Sequence, residues 1–308
     1  MWILEGGEMF YLGIDGGGTK TAFALMNQAG EIISTYETSG CYYPVVGKEG
    51  LYNILAHGIM KVTEGIDLSQ TVACAGIPAY GEIEELDVAL EEIKERLPIK
   101  ILFVNDVEVG YYGALGFEPG INIVAGTGSI AIGFDESGNI ARNGGFGYEL
   151  EGDEGSAHYI GRKLIYHFTR QIDLREDRTL LYDAVMKHFN LKKDLYLLGV
   201  IMENNLLERD RMASLSKLTY ELAVEGDPVC WEIFEDSASQ LDLLVAGLTR
   251  QLDFQNTPIK VSYTGGVFKA GDLILKPLGE RLKKRNAILV QPKNEPVYGA
   301  CLKATTLR

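Results

Sequence analysis

The sequence predicts an α/β protein built from two related halves, and three observations carry that prediction. A glycine-rich turn is written twice in one register, apolar runs of strand length alternate with helical periodicity, and no low-complexity or linker segment intervenes. The first copy is Phe10-Tyr11-Leu12-Gly13-Ile14-Asp15-Gly16-Gly17-Gly18-Thr19-Lys20, followed by apolar Ala22-Phe23-Ala24-Leu25. The second is Ile121-Asn122-Ile123-Val124-Ala125-Gly126-Thr127-Gly128-Ser129, followed by Ile130-Ala131-Ile132-Gly133-Phe134, 108 residues on. Asn27, Gly30 and Ile32 recur as Asp135, Gly138 and Ile140. Two such units imply half-molecules that face one another, each bringing a backbone cradle to a shared cleft. A polyphosphate is the natural thing to cradle.

Residues 10–40 read as two strands joined by the glycine turn, then a hairpin turn at Asn27-Gln28-Ala29-Gly30 and a third strand over 31–36. Residues 48–64 have helical character. A short buried strand over 70–75 ends at Gly76-Ile77-Pro78, and 82–97 carries apolar residues at helical spacing until Pro98. Residues 99–104 are another strand and 107–115 a helix. After the repeat at 121–142 comes a mostly helical stretch, roughly 155–252. Then follow a strand over 260–263, the Gly265-Gly266 turn, a helix over 271–284, a strand over 287–291 and a closing helix over 298–304. The expected division is 1–117 for the first domain and 118–296 for the second, with 297–308 packing back on the first. Residues 1–8 read as a short extension without an assigned role.

Composition narrows the function. The formal net charge of −14, from 43 acidic and 29 basic residues, repels nucleic acid and anionic membranes, which need basic surface. No apolar run reaches the ~18 residues of a membrane helix, and the start has no basic region before an apolar core, so no signal peptide is expected. Cys41, Cys74, Cys230 and Cys301 lie far apart, without CxxC spacing, and His57, His158, His167 and His188 show no metal-ligand spacing. Free thiols in a reducing cytoplasm are the simple reading.

The first turn reads either as a hairpin with a glycine bulge or as an anion nest. In the second case glycines take positive φ, backbone amides approach the ligand, and Thr19 and Lys20 add a hydroxyl and a charge. The order Thr-Lys followed by a strand excludes a Walker A loop. Asp15, which only accepts, is placed to hold Mg²⁺ through water. Gly126-Thr127-Gly128-Ser129-Ile130-Ala131 fits the dinucleotide fingerprint in letters, but a strand follows where a helix is needed, so a second phosphate cradle is preferred. Asp106, in Asn105-Asp106-Val107-Glu108, is either an N-cap or a carboxylate that takes a proton from a hydroxyl attacking a γ-phosphate. Capping alone would explain Asp153. The glycine density of Gly144-Gly145-Phe146-Gly147 and Gly152-Asp153-Glu154-Gly155-Ser156-Ala157 also suits a small polar ligand near the backbone. Gly265-Gly266 is a turn that can also face a flat adenine or ribose.

Taken in order, Asp-Gly-Gly-Gly-Thr-Lys, Asn-Asp, Gly-Thr-Gly-Ser, Gly-Gly-Phe-Gly, Gly-Asp-Glu-Gly-Ser-Ala and the late Gly-Gly resemble the BadF/BadG/BcrA/BcrD ATPase family, and within it the N-acetylglucosamine kinases. The resemblance runs from Leu12 to Tyr298-Gly299-Ala300. It implies the sugar kinase/Hsp70/actin superfamily: two ribonuclease-H-like domains around a central nucleotide and sugar cleft, with a helical insertion in the second. It further implies Asp106 as the catalytic base, Thr19 and Thr127 as phosphate-loop threonines, with Gly17, Gly18 and Lys20 beside the first. Ser129, Ile130, Gly145, Phe146, Gly147 and Asp153 would contact sugar, and Ala213, Gly265 and Gly266 the adenosine side. Kinases of this group carry an Asn and a Trp on the loop after the third strand. Here that loop is Gly40-Cys41-Tyr42-Tyr43-Pro44, and Phe146 stands at a Trp position, so a sugar would stack on Tyr42, Tyr43 or Phe146.

The expected activity is ATP- and Mg²⁺-dependent phosphorylation of an amino sugar (N-acetylglucosamine, N-acetylmuramate or glucosamine) at its 6-hydroxyl. A cytoplasmic homodimer is what the resemblance suggests. One alternative is a family ATPase that drives electrons through an iron–sulfur cluster, but no cysteine falls between Cys74 and Cys230 to hold one. The other is a nucleotide- and sugar-binding protein without turnover.

Overall fold

The structure, a computed structural model, describes residues 8–203, 205–255 and 258–307, so most of the expected N-terminal extension lies outside the described residues. The strands are β1 (Phe10–Gly16), β2 (Lys20–Met26), β3 (Ile32–Ser39), β4 (Thr71–Ile77), β5 (Lys100–Asn105), β6 (Gly120–Ala125), β7 (Ser129–Phe134), β8 (Ile140–Gly144), β9 (Ile259–Thr264) and β10 (Ala287–Leu289). The helices are α1 (Tyr43–Val62), α2 (Glu84–Arg96), α3 (Asp106–Leu115), α4 (Ala157–Ile172), α5 (Leu180–His188), α6 (Leu197–Glu203), α7 (Arg209–Ser214), α8 (Ser216–Val224), α9 (Pro228–Leu248), α10 (Asp272–Lys283) and α11 (Pro296–Ala304). Among the described residues no helix is long and apolar enough to cross a membrane. The chain divides into two compact units, Met1–Glu118 with Gln291–Arg308, and Pro119–Val290.

In the first unit the strand order is β3-β2-β1-β4-β5. β1 pairs antiparallel with β2 and parallel with β4, which pairs parallel with β5. All seven residues of β4 are buried, the continuous apolar run that a central parallel strand requires. β3, at the edge, alternates between exposed and half-buried. One face of the sheet packs Leu12, Ile14, Phe23 and Leu25 against Leu51, Leu55 and Ile59 of α1 and Leu86, Leu90 and Ile93 of α2. The other packs Tyr11, Ala24 and Cys74 against Val109 of α3 and Ala300, Cys301 and Ala304 of α11. Each large apolar side chain withdrawn from water this way contributes about 1.5–3 kcal/mol. Gly13 makes α11's approach workable, since a Cβ there would stand 2.3 Å from the Val297 carbonyl oxygen. The closing helix packs on the first unit and begins at Pro296, two residues before its expected start.

The second unit repeats this topology, with order β10-β9-β6-β7-β8. β6 and β7, and β7 and β8, are antiparallel; β9 runs parallel to both β6 and β10. Even the hairpin turns match. Asn27 Oδ1 accepts the amides of Ala29 and Glu31, each at 3.0 Å, and Asp135 Oδ1 accepts those of Ser137 and Asn139, each at 2.9 Å. Ile121, Ile123 and Ala131 pack on Ile233, Leu241 and Val245 of α9, in one core with Ile160, Leu164 and Phe168 of α4. Asp227 starts α9: its oxygens accept the amides of Cys230 and Leu181, both at 2.9 Å, which fixes α9 and α5 together. Both units are thus ribonuclease-H-like, the actin-type ATPase fold that the sequence motifs imply.

Candidate active site

In the first unit the site is built at the carboxyl ends of three parallel strands, where α/β sheets hold ligands. Asp15 on β1 is the direct register partner of Gly76 on β4, and Gly76 of Val104 on β5. One residue past β5's last turn into helix, Asp106 occupies the first position of α3. It is not the N-cap. Asn105 is, its side-chain oxygen accepting the Val107 amide at 3.2 Å. The Asn105 amide group donates to the Tyr80 carbonyl at 2.8 Å and to Glu82 at 3.0 Å, which ties β5's end to the loop after β4. The capping role open to Asp106 in the sequence is therefore taken by its neighbour.

Burial, and next the nearby Asp106 carboxylate, push the Asp15 carboxyl up from 3.8 to about 7, with Lys20 opposing. Two carboxyl groups crowded together, both half-buried, suit a hard divalent cation. Among the described residues no group of three or more His, Cys, Asp or Glu forms a metal cage.

The first glycine turn leaves β1 beside this pair. Close approach and not positive φ requires Gly16 and Gly17, since none of Gly16, Gly17 and Gly18 is left-handed and a Cβ on Gly18 would meet nothing. A Cβ on Gly16 would stand 2.6 Å from Cys41 Sγ, and one on Gly40 would stand 2.1 Å from the Gly18 carbonyl oxygen. The Gly17 carbonyl accepts the Cys41 amide at 2.9 Å. Thr19 and Gly18 are exposed; the Gly17 amide donates to the Cys41 thiol, and no acceptor for the amides of Gly18 or Thr19 occurs among the described residues. Lys20 is on the surface with its ammonium 2.6 Å from Glu37. Tyr42, 40% exposed, immediately precedes α1.

The second turn is fixed from behind. The Gly126 and Thr127 carbonyls accept the amides of Ala157 and His158, at 2.9 and 3.3 Å, so α4 starts against the turn. Ser156 caps α4, its hydroxyl accepting the Tyr159 amide at 3.2 Å. Asp153, open to a capping role in the sequence, instead accepts the Ser129 amide at 3.2 Å and an Arg209 N–H at 2.9 Å. The Ser129 hydroxyl donates to the Glu154 carbonyl at 2.6 Å, and the Ser129 carbonyl accepts the Gly145 amide at 3.0 Å. Here left-handed glycines do occur: Gly144, Gly145 and Gly147 have φ of 78°, 74° and 84°. Gly145 lies on the Ile130 side chain, and Gly152 donates to the Gly147 carbonyl at 2.8 Å. Phe146 is left 69% exposed at the crest of this loop. The structure thus brings Thr127, Ser129, Ile130, Gly145, Gly147 and Asp153 together in one unit. The amides of Thr127 and Gly128 have no acceptor among the described residues.

Gly265, with φ of 107°, backs onto Ala125, to whose carbonyl oxygen a Cβ would stand 2.4 Å. Gly266 opens a short 3-10 turn before α10, with open space where a Cβ would be. Ala213 is buried in α7. Arg209 and Gly40 were not singled out by the sequence. No local pattern marks either, because the Gly18 backbone and the Asp153 carboxylate that define their roles are distant in the chain.

A kinase of N-acetylmuramic acid and N-acetylglucosamine from Clostridium acetobutylicum is 26% identical over 300 residues, 95% of this chain and 97% of its own length. An N-acetyl-D-glucosamine kinase from Dictyostelium discoideum is 27% identical over 310 residues, covering 96% and 97% of the two chains. A solved structure from Chromobacterium violaceum, described as a candidate N-acetylglucosamine kinase, superposes with a TM-score of 0.76 at 21% identity, covering 96% of this chain and 98% of its own. The model of one family matches residues 12–304, nearly the whole described chain. The chain belongs to the BadF/BadG/BcrA/BcrD ATPase family.

Proposed function

We propose that the protein transfers the γ-phosphoryl group of ATP to the 6-hydroxyl of an amino sugar: N-acetylglucosamine, N-acetylmuramate or glucosamine. The observation that carries this reading is Asp106 at the start of α3, close enough to Asp15 to raise its pKa, beside a turn whose Gly18 and Thr19 amides are unspent. The kinase activities named for the two relatives support it. The Asp106 carboxylate takes the proton of the attacking hydroxyl as its oxygen bonds to the γ-phosphorus and ADP leaves with the bridging electron pair. The amides of Gly18, Thr127 and Gly128, with the Thr19 and Thr127 hydroxyls, receive phosphate oxygens, and Gly17 lines the first turn beside them. Asp15 would hold Mg²⁺ through water, and the ion would neutralise phosphate charge. Asp153, Ser129, Ile130 and the Gly145–Gly147 loop receive the sugar, with Phe146 and Tyr42 as stacking faces, while Ala213, Gly265 and Gly266 receive the adenosine. A cytoplasmic homodimer belongs to the same reading.

An electron-coupling role draws no support from the thiols, since all four cysteines are fully buried in the cores, Cys74 and Cys301 in the same one. The test is ADP release with Mg²⁺-ATP over glucosamine, N-acetylglucosamine, N-acetylmuramate and glucose, with NMR of the product to locate the phosphate ester. Turnover with an amino sugar and an ester on O6 is expected. ATP hydrolysis unaffected by every sugar would favour an ATPase, and nucleotide binding without turnover would favour a sensor.

A further inference from the structure

A chain of net charge −14 that binds a polyphosphate must bring cations to it locally. Lys20 is held at the surface by Glu37, and the second turn, Gly126–Ser129, contains no basic residue. Arg209, the first residue of α7, reaches that turn from elsewhere in the unit. Its Nη2 donates to Asp153 Oδ2 at 2.9 Å, and a Cβ on Gly128 would stand 2.1 Å from the same nitrogen. Only a glycine leaves room for the guanidinium against the turn.

This is not a loose surface pair. The Asp153 side chain is 3% exposed and its other oxygen is fixed by the Ser129 amide, while the Arg209 side chain is 44% exposed. A buried carboxylate therefore holds one edge of a guanidinium that has five N–H donors, leaving others turned toward solvent beside the turn. Arg162, a neighbouring cation, is engaged by Glu151 at 2.8 Å.

We propose that Arg209 is the cation of the second phosphate turn, contacting the β- or γ-phosphate oxygens that the Thr127 and Gly128 amides also receive. The inference rests on the phosphotransfer reading above. A planar fork matches a phosphate's oxygens, and a fixed positive charge there favours the triphosphate over shorter nucleotides.

The test compares calorimetric affinities for AMPPNP with Mg²⁺ and for AMP. Arg209→Gln is expected to weaken AMPPNP about tenfold or more, the scale of one charged hydrogen bond, while AMP affinity stays near wild type. Arg209→Lys should recover part of the loss. Because Gln leaves Asp153 as an unpaired buried carboxylate, the double variant Arg209→Gln/Asp153→Asn removes that burden and should still lose AMPPNP selectively. Equal losses for AMPPNP and AMP, or full AMPPNP affinity in the double variant, overturn the assignment and leave Arg209 a counter-charge for Asp153. If the wild-type protein binds neither nucleotide, the phosphotransfer reading falls as well.

Discussion

Gly76 lies beneath Asp106: a Cβ on Gly76 would stand 3.1 Å from the Asp106 Cα and 2.4 Å from Cγ2 of Val109. The helix that carries the proposed base therefore comes down on β4 at its one residue without a side chain. Gly76→Ala forces α3 outward or distorts its first turn, at about 1–3 kcal/mol, as overpacking does. The expected result is a lowered Tm together with a kcat loss larger than any change in KM. Wild-type kcat in a folded Gly76→Ala protein would show that Asp106 does not need its present position.

Asp106→Asn removes a charge and a proton acceptor while keeping shape. Since Asn105 caps α3, the helix start survives the change. General-base catalysis is worth about 10²–10⁴-fold, so kcat should fall by that range with nucleotide affinity nearly intact. Turnover at wild-type rate in this variant would reject Asp106 as the base.

The pH dependence of stability reads out Asp15. Burial pushes its carboxyl up to about 7 in the fold, from the ordinary aspartate value of about 4 in the unfolded chain. Between those values the folded state binds the proton and the unfolded state does not, so stability falls as pH rises from about 4 to 7, and the cost is fully present above 7. A shift of that size is worth on the order of 4 kcal/mol. In the presence of EDTA, Asp15→Asn should therefore be more stable than wild type at pH 8 and no more stable near pH 4, by urea unfolding. Parallel pH profiles for the two proteins would mean that Asp15 is ordinarily solvated. Added Mg²⁺ should narrow the gap at pH 8 in the wild type alone.

The halves were legible because their signals are local. Apolar runs marked β1 and β6, and Asn27 and Asp135 each form the turn that an Asx side chain forms with its own following amides. Helix α1 begins at Tyr43, ahead of its expected start, because Pro44 favours a first helical turn that Gly47, at φ 64°, then interrupts. A pattern search at 48–64 sees only the regular part. The roles of Asp106 and Asp153 stayed divided between cap and ligand. The sequence shows acceptors before each helix, Asn105-Asp106 and Asp153 to Ser156, without showing which one turns back on the amides. Structure separates them: Asn105 and Ser156 cap. A glycine in the sequence signals conformational freedom, yet at Gly13, Gly16, Gly76 and Gly128 the reason is a neighbour from a remote segment. No window of sequence contains that neighbour.

Gly18 and Gly128 separate packing from binding. Neither has a left-handed φ, so alanine strains the backbone at neither position. A Cβ on Gly18 meets nothing within 4 Å, whereas one on Gly128 would stand 2.5 Å from Asp153 Oδ1 as well as against Arg209. Gly18→Ala should leave Tm unchanged or slightly higher, since alanine restricts the unfolded chain by about 0.4–1 kcal/mol. Gly128→Ala should lower stability by about 1–3 kcal/mol, because Asp153 is displaced from the Ser129 amide inside a buried site. Both should weaken AMPPNP, Gly18→Ala by placing a methyl where the turn's amides meet phosphate and Gly128→Ala by moving Arg209. Thermal melts and AMPPNP titrations on the two proteins distinguish the effects. If Gly18→Ala binds AMPPNP as wild type does, the first turn is a hairpin and not a phosphate cradle.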